Sequence, residues 1–257
     1  MRLCCSIELK RGVEIPPNFR QWVLSLIKES IKIGSADGEL FYRKWYSSNR
    51  QKPFTFSIFV PLNFNKGVSL LNGDYFKLIF STNNTEFLAK VYNGLLEINK
   101  HGFYFHGYPV KVKSCSILPE RKFSGEVVDF KTISPFLLRD PKDGDFYIYP
   151  MLAEGDKDVE FQKFKYWKAV DMEEFTQRVR ENLVRITGKE VKLLELRVRR
   201  IVPVLCSSKS SGFKVTYPGI SAHLKIQART EVLKHIYDLG IGARRSEGFG
   251  MLEVINE

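Results

Sequence analysis

Eleven residues near the C-terminal end carry a dense group of phosphate-compatible features: Gly240-Ile241-Gly242-Ala243-Arg244-Arg245-Ser246-Glu247-Gly248-Phe249-Gly250. Glycine admits positive φ and lets a second backbone come close. Arginines beside exposed N–H groups suit phosphate oxygens. The residues alone allow two readings. Either Gly240, Gly242, Arg244, Arg245, Gly248 and Gly250 form an anion cradle, or the stretch is a tight helix-to-strand connection with a solvated arginine pair. It is not the dinucleotide fingerprint, which has a strand before its glycines and a helix after them; here the order is reversed.

A second set of cations falls on two extended runs. In Leu194–Val198 the pattern alternates, with Leu194, Leu196 and Val198 on one face and Glu195, Arg197 and Arg199 on the other. Arg200 extends the cluster. His223, Lys225 and Gln227 share a face opposite Leu224 and Ile226, and Lys209 and Lys214 lie in the connection. Paired, the two strands present a basic ribbon. It either tracks an RNA backbone or groove, or it is the wet side of an antiparallel sheet.

Composition weighs toward the nucleic acid. The 257 residues carry 40 Lys+Arg against 29 Asp+Glu, a formal net charge of +11. The acid is concentrated between Asp140 and Glu174, so the rest of the chain is more basic than the total implies. A broadly basic surface favours a polyanion over an acidic small molecule. No metal site is expected: the four histidines do not cluster with carboxylates, and the cysteines lack ligand spacing. Cys4, Cys5, Cys115 and Cys206 are expected to be buried reduced thiols, with adjacent Cys4 and Cys5 on opposite faces of a strand. Charged residues recur from Arg2 onwards and no apolar run approaches membrane-spanning length, so the expected location is cytoplasmic, with no membrane partner.

These groups must be positioned by regular elements. Residues 2–9 read as a strand and residues 18–33 as a helix with an apolar stripe at Trp22, Leu24, Leu26, Ile27 and Ile31, and with Lys28 and Lys32 one turn apart. Residues 34–51 read as a polar, aromatic and basic connection holding Tyr42, Lys44, Trp45 and Tyr46. Strands follow at 52–60 and 74–81, a helix at 84–98 and a strand at 108–117. Lys100–Phe105 resembles a base-stacking aromatic motif but stands in the wrong place for it, so it reads as hairpin and core. Strand, helix, strand, strand, helix, strand is the ferredoxin-like order shared with RNA-recognition domains.

The second half repeats that order. A start at 126–138 precedes a hairpin of 145–149 with 160–167, then a helix at 172–187, strands at 194–205 and 213–228, a helix at 230–239 and a closing strand at 251–256. The expected fold class is α+β: two tandem ferredoxin-like (βαββαβ) domains, residues 1–122 and 123–257, the second carrying the inserted hairpin and the glycine-rich loop. His235, in the last helix, is expected to serve the core or an interface.

A basic tandem of such domains ending in Gly240-x-Gly242-x5-Gly248-Phe249-Gly250 resembles the CRISPR-associated endoribonucleases that process repeat transcripts (the Cas Six family, RAMP proteins). Lys52-Pro53-Phe54-Thr55-Phe56-Ser57 adds to the resemblance, which covers essentially the whole chain. It implies metal-independent cleavage of one phosphodiester per repeat, without a cofactor: the 2′-hydroxyl attacks the adjacent phosphorus, leaving a 2′,3′-cyclic phosphate and a 5′-hydroxyl. The implied partners are CRISPR repeat RNA, subunits of an effector complex and a second copy in a homodimer. Many members use a tyrosine in the first helix, a histidine after it, and the lysine before the Phe-Thr strand. The lysine is Lys52, the tyrosine's place holds Lys28, and the histidine's falls near Tyr46, or Tyr42 if the loop shifts. No histidine precedes His101. Tyrosine and lysine ordinarily titrate at about 10 and 10.4, far from a ready base. The expected enzyme is therefore slow, with Lys28 and Lys52 on the charged transition state; the alternative is a repeat-RNA binder that does not cut. Lys44, Arg197, Arg199, Arg200, Lys209, Lys214, Lys225 and the glycine-loop residues are the expected RNA contacts.

Overall fold

A computed structural model describes residues 1–48, 50–65, 68–105, 107–151, 164–207 and 214–257. The chain divides into two compact units, the first Met1–Arg121 with Ser246–Gly248, the second Lys122–Arg245 with Phe249–Glu257.

The first unit contains β1 (Arg2–Glu8), α1 (Phe19–Ile33), α2 (Gly38–Tyr46), β2 (Phe54–Phe59), β3 (Leu62–Asn65), β4 (Val68–Leu71), β5 (Tyr75–Thr82), α3 (Thr85–His101), β6 (Phe103–Phe105) and β7 (Tyr108–Leu118). Its sheet runs β2-β5-β1-β7-β6, with every neighbouring pair antiparallel. Counting only β1, β2, β5 and β7, the spatial order is 2-3-1-4. α1 buries Trp22, Val23, Leu26, Ile27 and Ile31, an i, i+3/i+4 stripe facing the core. Ser30 continues that stripe against α3, where a Cβ on Gly94 would lie 1.9 Å from the Ser30 carbonyl oxygen. Two helix backbones meet there, which only glycine permits. That contact fixes α1, and with it Lys28.

α2 departs from the sequence expectation of an irregular connection. The driving pattern is short: Phe41 and Trp45, one turn apart, both pack on Phe87 of α3 with ring centroids at 4.9 Å. Lys90 of α3, buried, reaches Asp37 at 2.6 Å at the head of α2. Tertiary contacts, not propensity, hold this nine-residue helix. The β3–β4 hairpin was likewise not expected. β6 pairs with β7 as a hairpin, Phe105 buried and Tyr104 exposed.

The cysteine expectation is corrected in part. Cys5 and Cys115 face each other across β1 and β7 and are joined by a disulfide, because antiparallel register places both on the same side of the sheet. Cys4, half-exposed, and Cys206, buried, are not disulfide-bonded.

The second unit contains β8 (Val127–Thr132), β9 (Leu138–Arg139), β10 (Tyr147–Pro150), β11 (Trp167–Val170), α4 (Met172–Thr187), β12 (Lys192–Ser207), β13 (Lys214–Gln227), α5 (Thr230–Leu239) and β14 (Leu252–Asn256). Its main sheet runs β12-β13-β8-β14, all antiparallel, again 2-3-1-4 for β8, β12, β13 and β14. α4 starts where Asp171 accepts from the Glu174 N–H and stops at left-handed Gly188, the sequence signals for each end. The expected acidic hairpin is corrected: β10 and β11 pair in parallel, with β9 antiparallel on the other side of β10. All four β10 residues are buried, as a strand covered on both faces requires. The Trp167 indole N–H donates to the Thr216 carbonyl at 2.6 Å and ties this small sheet to β13. Residues 152–163 of the expected hairpin lie outside the described residues.

Candidate functional site

In the first unit, α1 and α2 bring together side chains from three separate stretches. Tyr42 and Tyr46 lie one turn apart on α2 and stack, with centroids 4.5 Å apart and planes at 18°. Lys28 Nζ of α1 stands 5.1 Å from the Tyr46 ring centroid. Lys52 Nζ, two residues before β2, stands 5.0 Å from the same centroid and donates to the Ser48 carbonyl at 3.3 Å. Lys32 Nζ is 4.8 Å from the Tyr42 ring. Lys28, Tyr42, Tyr46 and Lys52, the four residues expected to act in catalysis, thus form one cluster, to which Lys32 is a structural addition.

Three of these side chains, Lys28, Lys52 and Tyr46, are perturbed, each for a definite reason. Burial lowers the Lys28 ammonium below the ordinary lysine value of 10.5; Glu247 opposes that shift, and Lys52 and Lys32 add to it. Lys52 is lowered by burial and by Arg50, again opposed by Glu247. Tyr46 is raised by burial first, then by Tyr42 and Glu247. Its hydroxyl is buried without a hydrogen-bond partner among the described residues. The phenol oxygen is therefore a poor proton acceptor, and the useful part of Tyr46 is the face of its ring.

Glu247 was not expected. It belongs to the glycine-rich stretch, far from α1 and β2 in sequence, so no local pattern could announce it. A turn of 3₁₀ helix over Arg245–Glu247 leads to Gly248, whose φ is +86°. A Cβ there would lie 2.5 Å from the Phe56 ring of β2, and the Gly248 carbonyl accepts from the Arg20 guanidinium of α1. Ser246–Gly248 is in this way packed into the first unit. Half-buried Glu247 is brought into electrostatic reach of Lys28, Lys52 and Tyr46.

The rest of the glycine-rich stretch serves the second unit. A Cβ on Gly250 would fall 1.8 Å from the Ile241 carbonyl oxygen, and one on Gly242 would fall 2.5 Å from that of Leu137. The N–H groups of Gly240, Ile241, Ala243 and Gly250 donate to backbone carbonyls, and that of Gly242 to the Asn182 side chain. These five amides are spent on the fold and are not open to an anion. Arg244, at φ 53°, donates from Nε to the Tyr147 hydroxyl at 2.7 Å, with its guanidinium 4.7 Å from the Tyr217 ring centroid. Arg245 is buried, and its Nη1 donates to the Leu239 and Gly240 carbonyls, the C-terminal end of α5, where a cation is favoured. Burial lowers its pKa to about 10, with Arg185 adding, so it stays charged inside the loop. His235 half-buries against α4, its Nε2 3.2 Å from the Ile186 carbonyl oxygen.

On β12 the expected alternation holds from Glu195 to Val198, with Glu195 and Arg197 exposed and Leu196 and Val198 packed on the core. Leu194 departs from it. A bulge between Leu193 and Glu195 buries Leu193 and turns Leu194 outward, and a second bulge falls at Arg199. Arg199 and Arg200 are exposed; His223 and Lys225 are half-exposed opposite buried Leu224 and Ile226. Asp129, Glu195, Arg197, His223 and Lys225 line an open cleft of about 230 Å³, so the ribbon mixes carboxylates with its cations. Lys214 begins β13, Lys209 lies outside the described residues, and Lys44 is exposed on α2. Among the described residues no helix is long and apolar enough to cross a membrane, and no group of three or more His, Cys, Asp or Glu side chains could hold a metal ion.

Comparison with known proteins matches residues 118–254, more than half of the chain, to the family description "CRISPR associated protein Cas6, C-terminal". No curated protein matches. Among solved structures, one described as CRISPR associated protein Cas6 is 21% identical, covers 100% of this chain and 99% of its own, and has a TM-score of 0.64. A Cas6-related protein from Pyrococcus furiosus is 19% identical over 100% of this chain and 99% of its own, with a TM-score of 0.67. A RAMP protein described as binding different RNA substrates is 19% identical over the full length of both chains, with a TM-score of 0.66. At these identities the solved structures speak for the fold.

Proposed function

This chain belongs to the Cas6 family of CRISPR-associated proteins, and we propose that it binds CRISPR repeat RNA and cuts it once per repeat without a metal ion. The two units are read as ferredoxin-like domains, residues 1–122 and 123–257. The first does the chemistry; the second, with its ribbon and Arg244, binds RNA. The observation that carries this reading is the cluster in which Lys28 and Lys52 stand at 5.1 and 5.0 Å from one tyrosine ring.

Cleavage places an extra negative charge on a pentacoordinate phosphorane, and its cost falls when cations are already in place. Lys28 and Lys52 supply them. As O2′ bonds to phosphorus and the P–O5′ bond breaks, the leaving oxygen needs a proton. An ammonium whose pKa has been lowered by burial gives one up more readily than an ordinary lysine. Repeat RNA is the substrate; effector-complex subunits and a second copy of the chain are the proposed protein partners.

A second reading, a repeat-RNA binder that does not cut, is favoured by the hydroxyl of Tyr46, buried without a partner among the described residues where the family's histidine is expected. Incubation with the repeat RNA of the source genome in EDTA separates the two. A single cut leaving a 2′,3′-cyclic phosphate, reduced at least ~100-fold in Lys28→Ala or Lys52→Ala, is the expected result. Tight binding with the RNA left whole establishes the second reading instead.

A further inference from the structure

Cleavage through the 2′-hydroxyl needs a group to take its proton, and the cluster of lysines and tyrosines holds no acceptor suited to neutral pH. An ordinary lysine titrates at about 10.4, far above neutral pH, and the Tyr46 hydroxyl is buried. We infer that Glu247 is the general base, an assignment that rests on the endoribonuclease reading of the same site.

The placement of Glu247 is built into the fold. Its neighbour Gly248 is wedged at positive φ against the Phe56 ring, where a side chain has no room. The same glycine's carbonyl is held by Arg20. Arg20 lies on α1, the helix that carries Lys28, and Phe56 lies on β2, the strand that Lys52 precedes. The backbone next to Glu247 is therefore held against both elements that supply the cations, and Glu247 is half-exposed. It is also the carboxylate acting on Lys28, Lys52 and Tyr46 alike. A carboxylate is an acceptor at neutral pH, so no proton has to be removed before the reaction begins.

In the resulting step, a Glu247 oxygen takes the 2′-hydroxyl proton as O2′ bonds to phosphorus. The P–O5′ bond breaks, and a lysine ammonium gives its proton to O5′. The products are a 2′,3′-cyclic phosphate and a 5′-hydroxyl, with a protonated Glu247 and a neutral lysine. Exchange with water resets both groups.

The test uses full-length protein and repeat RNA. Single-turnover cleavage is measured for wild type, Glu247→Gln and Glu247→Ala, and affinity is measured with an RNA bearing 2′-deoxyribose at the cut. Glu247→Gln is expected to lose at least ~100-fold in rate while binding the uncleavable RNA within about twofold of wild type. Added formate is expected to restore part of the Glu247→Ala activity, which a merely structural role would not allow. Cleavage by Glu247→Gln at near wild-type rate overturns the assignment and leaves the endoribonuclease intact. So does a loss in Glu247→Ala that formate does not restore, or a loss that follows weakened RNA binding. Wild-type protein that binds the repeat without cutting it overturns both.

Discussion

At the scale of single residues, Tyr46 shows how a position and its chemistry can come apart. The resemblance puts a family histidine near Tyr46, yet its environment does not suit the histidine's proton chemistry: among the described residues the hydroxyl is buried without a partner, and its pKa is raised by burial. Tyr46→Phe is therefore expected to keep near wild-type cleavage and equal or higher stability, since a buried hydroxyl without a partner contributes nothing. Tyr46→Ala removes the ring that faces two ammonium groups. At about 0.5–1 kcal/mol for each cation–π contact, its rate should fall roughly tenfold, readable in single-turnover assays with a thermal melt as control. Lys28 makes a second test. Its folded pKa lies below 10.5, so between the two values the unfolded chain holds a proton that the folded chain has released. Stability therefore rises with pH across that window, and the cost of the buried charge is felt below it. Activity runs the other way. If Lys28 acts as cation and proton donor, the cleavage rate falls as pH rises through its lowered pKa, and Lys28→Arg, which stays charged, loses that alkaline limb. A wild-type rate that climbs through the same range would assign Lys28 as the base.

At the scale of elements, α2 is the piece on which the site depends and the one least visible in the sequence. It is clamped by Lys90, and the clamp is asymmetric: 7% of the Lys90 side chain is exposed against 61% of that of Asp37. The remaining carboxylate near Lys90, Glu86, stands off at 3.7 Å. Removing Asp37 leaves a buried ammonium with Ser35 Oγ at 2.8 Å and the more distant Glu86, whereas removing Lys90 leaves a carboxylate already in water. Asp37→Ala should therefore lower the urea midpoint more than Lys90→Met does. It should also reduce cleavage, because α2 carries Tyr42 and Tyr46. The reverse order of midpoints would show that α2 is held by Phe41 and Trp45 alone. The sequence hid this helix because its apolar signal is a single i, i+4 pair inside a polar run; the partners of that pair and of Asp37 are Phe87 and Lys90, more than forty residues on.

At the scale of the whole molecule, a net charge of +11 predicts RNA affinity that falls steeply with salt, and the two adjacent arginines divide the effect. Arg244 is half-exposed beside two tyrosines, whereas Arg245 is buried and bonded to the end of α5. Arg244→Ala should make the log–log salt slope shallower by about 0.7, the value for one phosphate contact on a single strand. Arg245→Ala should leave the slope unchanged and lower the melting temperature. Equal slopes in wild type and Arg244→Ala would remove Arg244 from the RNA contacts.

Local pattern was enough for much of this protein. The bounds of α4 and α5 are those read from the sequence pattern, and the ends of β12 and β13 lie within two residues of it, since these are set largely by residues next to one another. A resemblance that needs only spacing singled out Lys28 and Lys52, which the structure brings to one tyrosine ring. The tertiary structure alone decided which groups meet. It built α2 from contacts with α3, paired β10 and β11 in parallel, joined Cys5 to Cys115 through register, and turned Leu194 outward at a bulge. It also carried Glu247 from the far end of the chain to the cluster. Each of these depends on residues distant in sequence meeting in space, and spacing along the chain holds no record of that. The glycines show the division most plainly. Their number was legible from the start, but that Gly248 leaves no room beside Phe56, and so fixes Glu247, is a fact of packing.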